Sequence, residues 1–204
     1  QRIEVANDRI GNQDVVSTVL QADIDTLRKT SETLDRREMN ESVELILQAK
    51  RIYIIGVRSS TAIADFLNFY FRNIFENVSL VSSTSTSEMF EQIMNIGKDD
   101  VMIAISFPRY SKRIIHAVEY ARGTGADVIS LTDSPESPIA LHASYLLVAQ
   151  SDMVSFVDSL VAPLSVINAL IVAVSRKRQD EFAERLRKLE VIWDKYDVYD
   201  KTQN

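Results

Sequence analysis

Ile52-Tyr53-Ile54-Ile55-Gly56-Val57-Arg58-Ser59-Ser60 is a run of four strand-forming apolar residues, a glycine and then a polar loop. A continuous apolar run of that length, stopped by glycine, suits a strand covered on both faces, where no side chain meets water. Four more runs follow: Val78-Ser79-Leu80-Val81, Val101-Met102-Ile103-Ala104-Ile105, Val128-Ile129-Ser130-Leu131 and Tyr145-Leu146-Leu147-Val148. Segments of helix length separate them. The alternation predicts an α/β fold, a three-layer open sandwich whose five-stranded parallel sheet is covered by crossover helices.

The helices are legible from their spacing. Between Ser111 and Arg122, Ile114, Ala117, Val118 and Ala121 fall on one stripe, and Gly123 supplies the stop. From Ser87 to Ile96 the stripe is Met89, Phe90, Ile93 and Met94. Ahead of the first strand, Ile24, Leu27 and Leu34, then Val43, Leu45 and Ile46, predict two amphipathic helices, while Gln1 to Asp14 shows no clear cap and reads as linker. After the last strand, Val154 to Ser175 reads as one long apolar helix, and Gln179 to about Trp193 as a charged helix with a solvated face. The expected division is lead-in helices over 1–48, the sheet domain over 49–178, and a terminal helix and tail over 179–204.

Composition narrows the function. The 204 residues contain no cysteine, which excludes disulfides, thiolate metal sites and cysteine nucleophiles. With no signal-peptide pattern at the start, the chain reads as cytoplasmic. Its net charge of −6 opposes contact with nucleic-acid phosphates. Val154 to Ser175 is long enough to span a bilayer, but Asp158, Pro163 and Asn168 within it argue for a core or interface helix of a non-membrane protein.

In an open α/β sheet, ligands bind beyond the carboxyl ends of the strands, where strand order reverses. The segments after the first four strands are Gly56-Val57-Arg58-Ser59-Ser60, Ser82-Ser83-Thr84-Ser85-Thr86-Ser87, Ser106-Phe107-Pro108-Arg109-Tyr110-Ser111 and Thr132-Asp133-Ser134. Hydroxyls, backbone N–H groups at helix starts and forked arginines all favour a bound anion. Neither a Walker loop nor a full G-x-G-x-x-G is present, so a small phosphate ester fits better than a nucleotide. The plain alternative for each loop is helix capping. Ser85-Thr86-Ser87-Glu88 even has the spacing of a capping box, and the arginines could serve surface ion pairs. Four hydroxyl-rich loops in succession, two with arginine, exceed what capping alone requires.

From about Ala49 to Ser175 the chain resembles a SIS (sugar isomerase) domain, most of all that of RpiR/MurR-type bacterial transcriptional regulators. Ile54-Ile55-Gly56-Val57-Arg58-Ser59-Ser60 is similar to the family's G-x-G-x-S loop, with Arg58 at the second glycine. Ile105-Ser106-Phe107-Pro108-Arg109-Tyr110-Ser111 resembles its Ser-x-Ser-Gly-x-Thr phosphate loop, and Thr132-Asp133-Ser134 with Ser137-Pro138 adds support. The resemblance implies a flavodoxin-like fold that binds phosphosugars as a dimer or tetramer, with Ser60, Ser106 and Ser111 holding the phosphate. Arg58, Pro108 and Arg109 depart from the family's small residues, and Arg109 can replace lost backbone donors by direct charge pairing. The candidate ligand-binding set is Arg58, Ser59, Ser60, Ser83, Ser106, Arg109, Ser111 and Thr132.

The expected role is the effector domain of a longer regulator, controlling DNA binding by a separate helix-turn-helix domain, because residues 1–50 are too few and too acidic for one. The expected partners are a sugar phosphate and further copies of the chain, with DNA reached only through that other domain, and no metal, cofactor or membrane. The alternatives are a phosphosugar isomerase of the same fold and an oligomerisation module with a vestigial site. An isomerase needs a base over the sugar. His116 lies on the outer face of its helix, His142 precedes the fifth strand, and Glu88 fits a cap, so none stands out. Ser155 and Ser159, read as the first turns of the long apolar helix, are further candidates for contact with the sugar.

Overall fold

The computed structural model describes residues 14–82, 85–152 and 157–198. In chain order they form α1 (Val15–Thr33), α2 (Arg36–Gln48), β1 (Arg51–Gly56), α3 (Ser60–Ile74), β2 (Val78–Val81), α4 (Thr86–Ile93), β3 (Asp100–Ile105), α5 (Lys112–Gly123) and β4 (Asp127–Thr132). A 3₁₀ turn (Ala140–His142), β5 (Tyr145–Val148), α6 (Val161–Lys177) and α7 (Gln179–Lys195) complete the set. All five strands are parallel, in the order β2-β1-β3-β4-β5, so the α/β expectation holds.

The continuous apolar runs conceal a period of two. Ile52, Ile54, Ile103, Ile105, Ile129 and Leu131 face one layer, with α2, α3 and α6. Tyr53, Ile55, Met102, Ala104 and Val128 face the other, with α4 and α5. Successive strand side chains point to opposite faces, and here each face meets a helix layer. The lead-in helices share this core, for Met39, Val43 and Ile46 of α2 are buried with Ile52 and Ile103. Helix α2 also protects the sheet's edge: Glu38 Oε2 accepts the Leu146 N–H at 2.7 Å.

Order reverses between β1 and β3. The helix after β1 lies on one face and the helix after β3 on the other, so α3 and α5 start side by side at the carboxyl ends of the two strands. At the opposite ends Arg51 and Asp100, register partners, form a forked ion pair at 3.1 and 2.8 Å. Asp100 is buried and also accepts the Gly97 N–H at 2.9 Å.

Several local expectations need correction. Asp14 is a cap after all, its carboxylate accepting from Val16 N at 3.2 Å and Ser17 N at 3.4 Å. Helix α5 runs through Gly123, and the left-handed residue is Gly125, φ 86°. Ala126 N–H reaches Ala121 O and Gly125 N–H reaches Arg122 O, both at 3.0 Å, which closes the end as a Schellman motif. Met94, the C-cap of α4, is exposed. Among the described residues the long apolar segment is helical from Val161, so Ser159 precedes the helix, and Ser155 lies outside the described residues. Pro163 suits a helix that begins at Val161, since its ring clashes with the carbonyl four residues back and is tolerated only in a first turn.

The apolar stripe predicted for α1 divides: Leu34, just past its end, is buried in the core, but the rest is turned outward. Ile24 and Leu27 are exposed together with Val16 and Leu20, while Thr26 and Thr30 are buried. The inner face of this helix packs along α6 and makes polar bonds to the β5–α6 connection.

Gly56 is the most closely approached of the described glycines. A Cβ there would stand 2.7 Å from Ser60 O and 3.2 Å from Ala64 Cβ. Gly56→Ala therefore forces α3 off the end of β1, with an expected loss of about 1–3 kcal/mol, measured by urea unfolding.

Candidate functional site

The loops after β1 and β3 face each other. Val57, Arg58, Ser59, Ser60, Ser106, Phe107, Pro108, Arg109, Ser111 and Asp158 line one cleft with about 20 Å³ of free space. Most of the candidate set therefore comes together there: Arg58, Ser59 and Ser60 from one loop, Ser106, Arg109 and Ser111 from the other. Ser60 and Ser106 are each 4% exposed, whereas Arg58 and Arg109 stand at the mouth.

The serines at the two helix starts are not used for capping. Ser59 and Ser111 are the N-cap residues of α3 and α5, and neither makes a side-chain cap hydrogen bond. Asp14 and Asp35, at α1 and α2, cap in the ordinary way. Ser85, the N-cap of α4 and first residue of the expected capping box, likewise makes no side-chain cap bond. The Thr61, Ala62 and Ile114 N–H groups bond to Arg58 O, Ser59 O and Ser111 O, so the cleft's helix starts offer their dipole ends rather than a full set of open donors. Two such helix ends, with their positive dipole ends, converge on the cleft.

The two arginines share an uncommon backbone. Arg58 has φ 59° and Arg109 φ 69°, left-handed values that a side chain with a Cβ adopts at a cost. Such residues persist where function or surroundings hold them. Among the described residues Arg58 has no ion-pair partner, while Arg109 lies 3.9 Å from Asp158 Oδ2.

Thr132 is fully buried and does not line the cleft; its hydroxyl donates to Asp133 Oδ1 at 3.2 Å. Asp133 Oδ1 also accepts from the Tyr110 hydroxyl at 2.8 Å. The β4 loop thus braces the β3 loop from behind. Ser83 lies outside the described residues. The β2 loop is anchored at its start by Gln92, whose side chain bonds Ser82 N and Ser82 O, each at 3.1 Å.

Beside the cleft is a cavity of about 420 Å³, lined by Gly56, Arg58, Thr61, Asp65, Leu80, Ser82 and Arg113. Its size is that of a small-molecule pocket, and Arg58 borders both spaces. A larger groove of about 580 Å³ lies at α7, where Arg185 faces Glu76 at 3.6 Å and Lys188 faces Glu184 at 2.8 Å, so its charges are already paired.

A model of the SIS domain matches residues 45–173. The chain belongs to the SIS domain family. It is 31% identical over 169 residues to the HTH-type transcriptional regulator HexR of Escherichia coli (strain K12), covering 80% of this chain and 57% of that protein. An uncharacterized HTH-type transcriptional regulator of Clostridium perfringens (strain 13 / Type A) is 27% identical over 84% of this SIS chain and 62% of its own length. The chain thus spans about three-fifths of these relatives. Among solved structures, the sugar isomerase domain of the RpiR transcription factor from Sphaerobacter thermophilus superposes with a TM-score of 0.83 at 25% identity, over 87% of this chain and 99% of that one. The Vibrio vulnificus NanR protein complexed with ManNAc-6P shares the fold, with a TM-score of 0.77 at 22% identity, covering 95% and 74%.

Asp158, Tyr110, Thr61, Asp65 and Arg113 of this SIS site were missed by sequence reasoning. Asp158 arrives from the β5–α6 connection, far from both loops in sequence, and carried no local signal. Tyr110 sits inside the quoted β3 loop, but its partner Asp133 belongs to another strand.

Burial, and then the hydrogen bond to Asp133, push the Tyr110 phenol up to about 12 from an ordinary 10.0. A raised folded-state value means that the unfolded chain loses its proton first, so this contribution is complete below pH 10.0 and is lost as the pH rises through about 12. Tyr110→Phe should flatten that part of the stability decline, as followed by chemical denaturation across the alkaline range.

Proposed function

We propose that this SIS chain senses a phosphorylated sugar for a transcriptional regulator. The observation that carries the reading is the convergence on one cleft of two helix starts, at Ser59 and Ser111, and two arginines with left-handed backbones. Phosphate takes its place among Ser59, Ser60, Ser106 and Ser111, with Arg58 and Arg109 supplying charge-assisted bonds. The sugar body extends into the 420 Å³ cavity toward Thr61, Asp65 and Arg113. The ManNAc-6P in the NanR neighbour supports this ligand class.

The domain acts by binding, without catalysis. Its relatives HexR and the clostridial protein are HTH-type regulators. His116 is exposed on the outer side of α5, and His142 lies 3.6 Å from Glu119, away from the cleft loops. One observation favours a second reading, an isomerase: Asp158 brings a carboxylate, 17% exposed, into the cleft. In the whole protein, DNA contact belongs to another domain, in keeping with this chain's net charge of −6. The sensor unit corresponds to residues 49–178 and works in the cytoplasm. It self-associates as a dimer or tetramer, an arrangement supported by the exposed Val16, Leu20, Ile24 and Leu27 of α1. No helix among the described residues is long and apolar enough to cross a membrane.

A thermal-shift panel of sugar phosphates and their unphosphorylated parents tests the reading. A ligand at about 100 times its Kd adds about 2.7 kcal/mol, which raises Tm by about 5–10 °C in a chain of this size. Only the phosphorylated members should act. Turnover of a hit, followed by NMR, would establish the isomerase instead.

Arg109→Gly separates charge from backbone strain. It relieves a left-handed side chain worth about 1 kcal/mol, so Tm without ligand should hold or rise, while the shift given by the sugar phosphate should disappear.

A further inference from the structure

The anion cleft already contains an anion of the protein's own. Asp158 Oδ2 accepts the Ser59 hydroxyl at 3.2 Å and lies 3.9 Å from an Arg109 guanidinium nitrogen. Carboxylate and phosphate seek the same donors, hydroxyls and forked arginine. With Asp158 in place the cleft's 20 Å³ has room for about one water. A phosphoryl group does not fit that space as it stands, and a second anion there would repel the Asp158 carboxylate.

The chain around Asp158 is tied to α1. Ser159 Oγ donates to Asp23 Oδ1 at 2.6 Å. Earlier in the same connection, Gln150 N donates to Thr30 Oγ1 at 2.9 Å, and Asp152 lies 3.6 Å from Lys29. Helix α1 has its apolar residues Val16, Leu20, Ile24 and Leu27 turned outward. The helix also packs along α6, so the polar ties act on an element that α6 supports along its side.

We propose that Asp158 is a built-in pseudo-ligand: it occupies the phosphate position in the empty protein, and a sugar phosphate must displace it. Displacement pulls Ser159 from Asp23 and loosens α1 where it meets the β5–α6 connection. This gives the ligand the difference in contacts between two states without which no binding event can shift a conformation. The inference rests on the phosphosugar reading of the cleft and adds to it a competitor and an output.

The test uses the full chain in three forms, wild type, Asp158→Asn and Asp158→Ser, each verified as folded by its circular-dichroism melt. The first readout is amide hydrogen exchange without ligand. Both variants should exchange faster in α1 by at least about fivefold, the lower end of ordinary coupling; unchanged exchange overturns the latch whatever the cleft binds. The second is calorimetric titration with inorganic phosphate and with ManNAc-6P. Both variants should bind at least about fivefold tighter than wild type. Equal or weaker binding overturns the pseudo-ligand and makes Asp158 a ligand contact or a bystander. If neither probe binds any of the three proteins, the phosphosugar reading falls, and the pseudo-ligand with it, even where exchange in α1 has changed.

Discussion

Gly56 allows the first turn of α3 to rest directly on the end of β1, with Ser60 O where a Cβ would otherwise be. The rest of the cleft depends on that contact. It fixes the height of Ser59 and Ser60 above the sheet, and so whether they meet Ser106 and Ser111 from the neighbouring strand. A glycine is required for the approach itself, not for a left-handed φ. The left-handed positions are held instead by Arg58 and Arg109, so the chain accepts backbone strain in return for two guanidinium groups at the mouth.

The two ends of β1 and β3 divide the work. At one end, Arg51 and Asp100 pin the strands in register by a forked, partly buried ion pair. At the other, the reversal of strand order sends α3 and α5 to opposite faces and leaves their starts open toward each other. The β4 loop completes the support through Asp133, which takes both the Thr132 and Tyr110 hydroxyls. Hydroxyl-rich loops that look alike in sequence thus do different things. Two present donors to the cleft, and one is consumed in bracing its neighbour.

Helix α1 is held differently from the elements of the apolar core. Its inward face carries Thr26 and Thr30, and its contacts with the β5–α6 connection are hydrogen bonds and one ion pair. A helix attached in that way is sensitive to the conformation of the connection that holds it. The SIS fold here therefore joins its leading helix both to α6 and to the connection that carries Asp158.

Apolar runs of strand length, separated by amphipathic segments, were enough to determine the parallel α/β sandwich. Burial on two faces leaves its mark on every residue of a strand such as Ile52-Tyr53-Ile54-Ile55. The loops after β1 and β3 stood out in the sequence as candidate donors for an anion, because hydroxyls combined with arginine at a strand's carboxyl end supply more donors than a helix cap uses. Only tertiary structure decided which loops converge, why Thr132 is buried, and that Asp158 enters the cleft from a distant connection. It also turned Ile24 and Leu27 outward, against their periodicity. The physical reason is common to all of these: periodicity records that a side chain is to be buried, but pairing partners distant in sequence, such as Asp158 with Ser59 or Ser159 with Asp23, leave no local pattern.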